Sequence, residues 1–217
     1  MINEYLLNAI RCANNSVLRK TIDENESILY TYAIDNKYDY TIKHIYLTPL
    51  MLTCYYKHYH LVQTILSYRD NSINYQNEFG YTALYYAIES DNIHIIRLLI
   101  EKGADLNIVD KKGYTPLIYA SCHFCNYEMT KLLIDNNANV NHIDNNDYSV
   151  LMKICQLNNT HKYVNTYCSN VAQLLLDNGA NINYINKKYE MAYTIAIQSN
   201  NTTLISVIEN YPKLVKQ

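Results

Sequence analysis

The sequence predicts an all-α fold, a solenoid of stacked helix-turn-helix units joined by short hairpin-like loops. Three observations predict it. A leucine recurs as Leu50, Leu84, Leu117 and Leu151, at intervals of 34, 33 and 34 residues. The asparagine that closes each unit recurs as Asn74, Asn107, Asn141 and Asn183, at 33, 34 and 42. Between these markers the apolar residues fall at helical rather than strand spacing. Self-similarity at a fixed period of this length marks a repeat architecture. "GYTALYYAIESDNIHIIRLLIEKGADLN" (80–107) and "GYTPLIYASCHFCNYEMTKLLIDNNANVN" (113–141) display it directly.

The elements follow in order. At the N-terminus "LLNAIRCANNSVLRKTI" (6–22) overlays "LYYAIESDNIHIIRLLI" (84–100) without a gap, with Ala9 on Ala87 and Asn14 on Asn92. An insertion of about eleven residues, within Asp23–Tyr46, separates this first unit from the second. Thr82, Thr115 and Ser149 stand where an N-cap hydroxyl accepts a first-turn N–H. Pro49 and Pro116 each follow a Thr, at the first helical position, where the missing N–H costs nothing. Leu84, Ala87 and Ile88 share a face of the first helix, and small Ala87, Ala120 and Ala196 allow close helix approach. The second helix carries Ile95, Ile96, Leu99 and Ile100 as a buried stripe. Gly103 and Gly179 stop it, with Asn137 and Asp70 in the corresponding places, all types that tolerate left-handed backbone. The fifth unit carries about eight extra residues within Asn158–Asn170, and "YTIAIQSNNTTLISVIE" (193–209) closes the chain as a cap. The chain reads as one domain, 1–217, with units near 4–36, 47–76, 77–109, 110–143, 144–185 and 186–210. A lone helix pair cannot bury its apolar side, so such units are stable only by leaning on neighbours.

Composition narrows the function. Formal net charge is −2, against the basic footprint of a nucleic-acid binder. The N-terminal segment is broken by Asn8, Arg11 and Asn14, unlike a secretory signal, and no window is apolar for the length of a membrane span. Six cysteines are too few for a disulfide scaffold, so mostly reduced thiols in a cytosolic or nuclear setting are expected. Asn25-Glu26-Ser27 and Asn158-Asn159-Thr160 match the glycosylation acceptor pattern at the rate so Asn-rich a chain produces by chance. Abundant Ile, Asn, Lys and Tyr reflect A/T-rich codons.

Candidate chemical sites are weak. "CHFC" (122–125) is a single C-x-x-C on a helix–helix turn, without the second ligand pair zinc needs. Cys54, His58 and His60 could form a nucleophile pair, but no third group orients them. No phosphate-binding glycine motif occurs. Asp110 and Asp144 head their units as loop acceptors rather than catalytic acids. No catalytic residue, cofactor or metal is expected.

The residues of "DKKGYTPLIYAS" (110–121) and "RLLIEKGADLN" (97–107) resemble the ankyrin repeat. The resemblance covers nearly the whole chain and fades at both ends. Two departures stand out. The family's histidine after T-P-L is replaced by Tyr85, Ile118 and Met152, which removes an inter-repeat hydrogen bond. The glycine of the helix–helix turn is Asp91 in the third unit, so an irregular turn is expected there. The resemblance implies a non-catalytic, monomeric protein-binding scaffold whose partner is a protein, not nucleic acid or membrane. The implied contact strip, on loop tips and the outer side of the first helices, comprises Tyr75, Glu78, Phe79, Tyr81, Tyr86, Lys111, Lys112, Tyr114, Tyr119, His142, Asn145, Tyr148, Lys153, Lys187 and Lys188. The two insertions are the next candidate surfaces. A substrate-recruiting adaptor for a ubiquitin ligase, acting through another subunit, is the alternative. Ankyrin repeats in an A/T-rich coding context resemble proteins of large DNA viruses, intracellular bacteria and some protists. A host cytoplasmic or nuclear site is implied, with a viral or pathogen modulator of a host protein as the role.

Overall fold

A computed structural model describes residues 4–24, 33–34, 46–68, 72–123, 125–157 and 162–212. The chain divides into two compact units, 1–110 and 111–217.

The first unit holds three helical hairpins. They are α1 (Glu4–Arg11) with α2 (Asn15–Glu24), α3 (Pro49–Tyr55) with α4 (Tyr59–Ser67), and α5 (Ala83–Glu89) with α6 (Ile93–Glu101). A two-residue strand, β1 (Ala33–Ile34), pairs antiparallel with β2 (Tyr46–Leu47), Ala33 opposite Leu47. These short strands lie in the first insertion and have no counterpart in the sequence reading. The second unit holds α7 (Pro116–Ile118) with α8 (Tyr127–Asp135), α9 (Val150–Cys155) with α10 (Lys162–Asp177), and α11 (Ala192–Gln198) with α12 (Thr202–Glu209).

The cores follow the predicted stripes except at Ile100, which is half-buried while Leu98 is buried instead. Leu50, Leu84, Leu117 and Leu151 are buried, as are Ile95, Ile96, Leu99 and Leu133. Ala87, Ala120 and Ala196 are fully buried where helices meet. Each buried Leu or Ile contributes about 1.5–3 kcal/mol.

Capping follows the sequence with one exception. Thr48, Thr115 and Ser149 accept the backbone N–H of Met51, Ile118 and Met152 at 3.2–3.3 Å. Thr82 makes no such bond, and its hydroxyl is buried without a partner. Four of the second helices are capped by asparagines, a role the alignment of Asn14 with Asn92 does not by itself assign, while α4 begins at His58 with no side-chain cap. Asn14, Asn92, Asn126 and Asn201 accept the N–H of Val17, Ile95, Met129 and Leu204 at 3.0–3.1 Å. Gly103, Gly179 and Asn137 end second helices in left-handed backbone, as expected; Asp70 lies outside the described residues, as do Asn25 and Asn158.

The helix–helix turn at Asp91 is not irregular. Ala13, Lys57, Asp91 and Asn200 all take φ between 51° and 62°. In each, the N–H of that residue bonds three back and the next N–H bonds five back. The turn needs one left-handed residue, and the two hydrogen bonds hold a non-glycine there. The fourth hairpin differs for a countable reason. Leu117 to Cys125 spans one residue more than Leu84 to Asp91, and Asn126 N–H reaches six back, to Ala120. The surplus residue is absorbed as a π-helical turn, Tyr119–His123.

In the fifth hairpin the described part of the insertion is helical. Helix α10 runs 16 residues, against 9 for α4, α6 and α8. Residues 158–161 of that insertion, and most of Asp23–Tyr46, fall outside the described residues.

Candidate functional site: the loop tips

Three of the tips are turns organised by an Asn or Asp that accepts two backbone N–H groups. Asn77 Oδ1 accepts Phe79 and Tyr81 N–H, Asp144 Oδ1 accepts Asn146 and Tyr148 N–H, and Asn186 Oδ1 accepts Lys188 and Glu190 N–H, all at 2.9–3.0 Å. This is the loop role expected for Asp144. Three residues further on the backbone enters the left-handed region at Gly80, Gly113, Asp147 and Tyr189. At Gly113 a Cβ would stand 2.6 Å from Asn145 N, so only glycine fits.

Successive tips are tied together within each unit. In the first, Gln76 Nε2 donates to Val109 O at 2.8 Å, and Asn74 Oδ1 accepts Asp105 N–H at 2.8 Å. Tyr85 hydroxyl donates to Ile108 O at 3.2 Å, so the tyrosine replacing the family histidine supplies an inter-repeat bond itself. In the second, Asn145 donates from its amide and backbone to Lys111 O and Lys112 O, at 3.0 and 3.2 Å. His142 Nε2 lies 2.9 Å from Gly113 O. Asp147 accepts Tyr184 hydroxyl at 2.8 Å and Lys187 N–H at 2.5 Å. These bonds hold its carboxyl below the usual range, Tyr184 most strongly.

The expected contact residues sort into three groups on these contacts. Tyr75, Lys111, Lys112, Lys187 and Lys188 are exposed. Glu78, Phe79, Tyr81, Tyr114 and Tyr119 are half-buried, with Tyr81 stacked on Tyr85 and Tyr119 on His123. The rest serve the fold. Tyr86 is only 7% exposed, and its hydroxyl accepts Asn77 Nδ2 at 2.9 Å. Burial, then Glu89, pushes its phenol pKa up. Tyr148 is equally buried and donates to Glu190 Oε2 at 3.0 Å. Asn145 and His142 are inter-loop ties.

Lys153 is likewise turned inward. It donates to Tyr114 hydroxyl at 2.9 Å, approaches buried Asp144 Oδ2 at 3.7 Å, and lies 4.9 Å from the Tyr114 ring centre. Burial opposes its charge, but the Tyr114 bond and the Asp144 carboxylate outweigh it and raise its pKa. Tyr86, Tyr148 and Lys153 therefore position the surface rather than present it, while exposed Asn145 and half-buried His142 tie one loop to the next.

The most exposed large hydrophobic side chain among the described residues is not one of the expected contacts. Tyr189 is 89% exposed with φ 62°. It occupies the place where two other tips carry glycine, a signal visible in alignment as a bulky residue at the D-x-x-G glycine. Ile185 and Val109 are exposed on tips as well.

The cysteine candidates resolve as structure. Burial pushes the Cys54 thiol far up, and the Cys122 thiol up to about 12, so neither is a ready nucleophile. Cys125 and Cys168 are joined by a disulfide, with Cα atoms 5.1 Å apart. This pair departs from the expectation of reduced thiols; the other four cysteines are free. The surplus residue of the fourth hairpin and the lengthened α10 put the two together. Among the described residues no group of three or more His, Cys, Asp or Glu side chains is arranged to hold a metal. A groove between α10 and α12 contains one carboxylate, Asp177, which already accepts Gln173 Nε2 at 2.8 Å. No helix is long and apolar enough to cross a membrane among the described residues.

Paired helices with capped turns and tied loop tips, repeated along the chain, define a helical-repeat scaffold. The family profile for ankyrin repeats (3 copies) matches residues 2–110, 50–144 and 105–186. The chain belongs to the ankyrin-repeat family. It is similar to an ankyrin repeat protein of fowlpox virus, 41% identical over 51 residues, covering 24% of this chain and 27% of that protein. It is also similar to an ankyrin repeat protein of Acanthamoeba polyphaga mimivirus, 36% identical over 78 residues, 34% of this chain and 11% of that one. The matches thus span less than a third of those relatives' lengths. In fold it resembles the ankyrin repeat domain of Bcl-3, with TM-score 0.75 and 22% identity, covering 97% of this chain and 85% of that one. An ankyrin repeat domain of Acinetobacter baumannii gives TM-score 0.77 at 21% identity, covering 95% and 97%. Ankyrin repeats are in general protein–protein interaction domains, and the fold is a non-catalytic scaffold.

Proposed function

We infer that the chain is a protein-binding scaffold that grips its partner with loop tips and the outer sides of first helices. The observation supporting this is a contrast within each tip. The backbone is fixed by Asx turns and inter-loop bonds, while Tyr75, Val109, Ile185 and Tyr189 stand exposed on it. Pre-organised loops lose little entropy on binding, and exposed tyrosine supplies contact area with few rotors. The similarity to fowlpox virus and mimivirus proteins supports a pathogen protein that occupies a host protein's surface.

Photo-crosslinking amino acids placed at Tyr75 and Tyr189, and at Tyr127 and Tyr167 on second helices, test the reading. Tip positions are expected to capture one discrete protein that the helix positions miss. Capture from Tyr127 or Tyr167 alone would place the contact surface elsewhere.

A further inference from the structure

The tips of the second unit hold their carboxylates in bonds within the tips and leave their lysines exposed. Asp144 is buried against Lys153, Asp147 is held by Tyr184 hydroxyl and Lys187 N–H, and Glu190 Oε2 accepts from both Asn186 Nδ2 and Tyr148 hydroxyl. These contacts hold the Asp147 and Glu190 carboxyls below their ordinary range, so they remain anionic but engaged. Four lysines, Lys111, Lys112, Lys187 and Lys188, are exposed on the outer tips. Lys112 lies beside the Tyr114 ring, and Lys188 lies beside the Tyr148 ring and donates to its hydroxyl at 3.1 Å while remaining exposed. The two pairs are joined through one intervening tip, since Asn145 bonds Lys111 and Lys112 while Asp147 bonds Lys187. Beside the second pair stand Ile185 and the left-handed, exposed Tyr189. A tyrosine held where other tips use glycine costs stability, and such strain persists where a side chain is needed in one place.

We propose that the second unit's tips recognise an acidic segment of a protein carrying interspersed apolar residues. Its carboxylates pair with the lysines, and an apolar side chain packs on Tyr189 and Ile185. A chain of net charge −2 has no overall attraction for acids, so the positive field here is local to the tips. A nucleic-acid backbone would use the same lysines, but exposed Ile185 gives a phosphate backbone nothing to pack against. This proposal rests on the protein-binding reading and adds the partner's chemistry.

The test uses the full chain and fluorescence anisotropy with a labelled glutamate-rich peptide bearing a leucine at every third position. A matched peptide with glutamine for glutamate, a duplex oligonucleotide and phosphatidylserine vesicles complete the set. The glutamate peptide is expected to bind about tenfold tighter than its glutamine analogue, and to weaken about tenfold as salt rises from about 50 to about 300 mM. Replacing Lys111 and Lys112, or Lys187 and Lys188, by serine is expected to weaken it several-fold, with circular dichroism unchanged. Tyr189→Gly is expected to weaken both peptides alike, and Lys20→Ser, on α2, to change nothing. Equal binding of the two peptides, or tighter binding to oligonucleotide or vesicles, overturns the proposal. If the tips still crosslink one protein and the lysine variants leave that capture intact, the scaffold reading stands and only the acidic partner falls.

Discussion

Lys153 Nζ lies 3.7 Å from Asp144 Oδ2, and the Asp144 side chain is wholly inaccessible to solvent while that of Lys153 is 17% exposed. The pair joins the turn that shapes a loop tip to the helix behind it. Removing the lysine leaves a carboxylate oxygen buried with no hydrogen bond of its own. Lys153→Met is expected to cost about 2–3 kcal/mol in urea unfolding, a value reduced from that of a fully buried pair because the lysine retains some water. Adding Asp144→Asn should recover part of the loss, and a double-mutant cycle measures the coupling. A substitution at Lys153 therefore reports on stability before it reports on any partner.

Tyr189→Gly removes a bulky residue from left-handed backbone. The conformational relief of about 1–2 kcal/mol is partly offset by the extra freedom glycine gains in the unfolded chain. A net gain of about 0.5–1 kcal/mol is expected in chemical denaturation. A loss of stability would mean that Tyr189 packs in a way its exposure denies.

Cys125 and Cys168 are 43 residues apart in sequence. Closing a loop of that length stabilises the fold by up to about 4 kcal/mol on chain-entropy grounds. Cys168→Ser, or reductant, is expected to lower the melting temperature of the second unit, with the two effects non-additive. Reductant that leaves the melting curve of the parent chain unchanged would show the bond to be thermodynamically idle.

Asp147 and Glu190 have folded-state pKa values below their ordinary ones. Their contribution to stability is therefore fully present above the unfolded values, about 4, and is lost as pH falls through the lower folded values. Asp147→Asn with Glu190→Gln should lower stability at neutral pH and flatten its acid decline. Urea midpoints at successive pH values below about 5 check this. An unchanged acid slope would remove these two groups as its cause.

Leu99 and Leu133 are fully buried in α6 and α8. Truncation of either to alanine is expected to cost about 2–5 kcal/mol, read from denaturant midpoints.

The hairpins were legible because their period, their apolar stripes and their Thr-Pro starts all point the same way. What escaped the sequence was local. The left-handed residue of each turn is Ala, Lys, Asp or Asn by position, so its identity does not announce its geometry. The π-turn is written in the sequence as a single surplus residue before Cys125, which a tally of repeat intervals detects but does not place. The contact strip was drawn from the repeat position alone. Position does not reveal that Tyr86 and Lys153 spend their polar atoms on Asn77, Tyr114 and Asp144. Tyr189 is an exception to the glycine pattern, but in a chain with 24 tyrosines one more carries little signal.

Asn14, Asn92, Asn126 and Asn201 begin four of the second helices. Asparagine codons are among those that drift toward A and T favours, and asparagine is also among the best residues for starting a helix. Mutational pressure and structural need therefore converge on the same letter at these sites. A lineage whose genome grows poorer in G and C can replace serine, threonine or aspartate there and keep the cap.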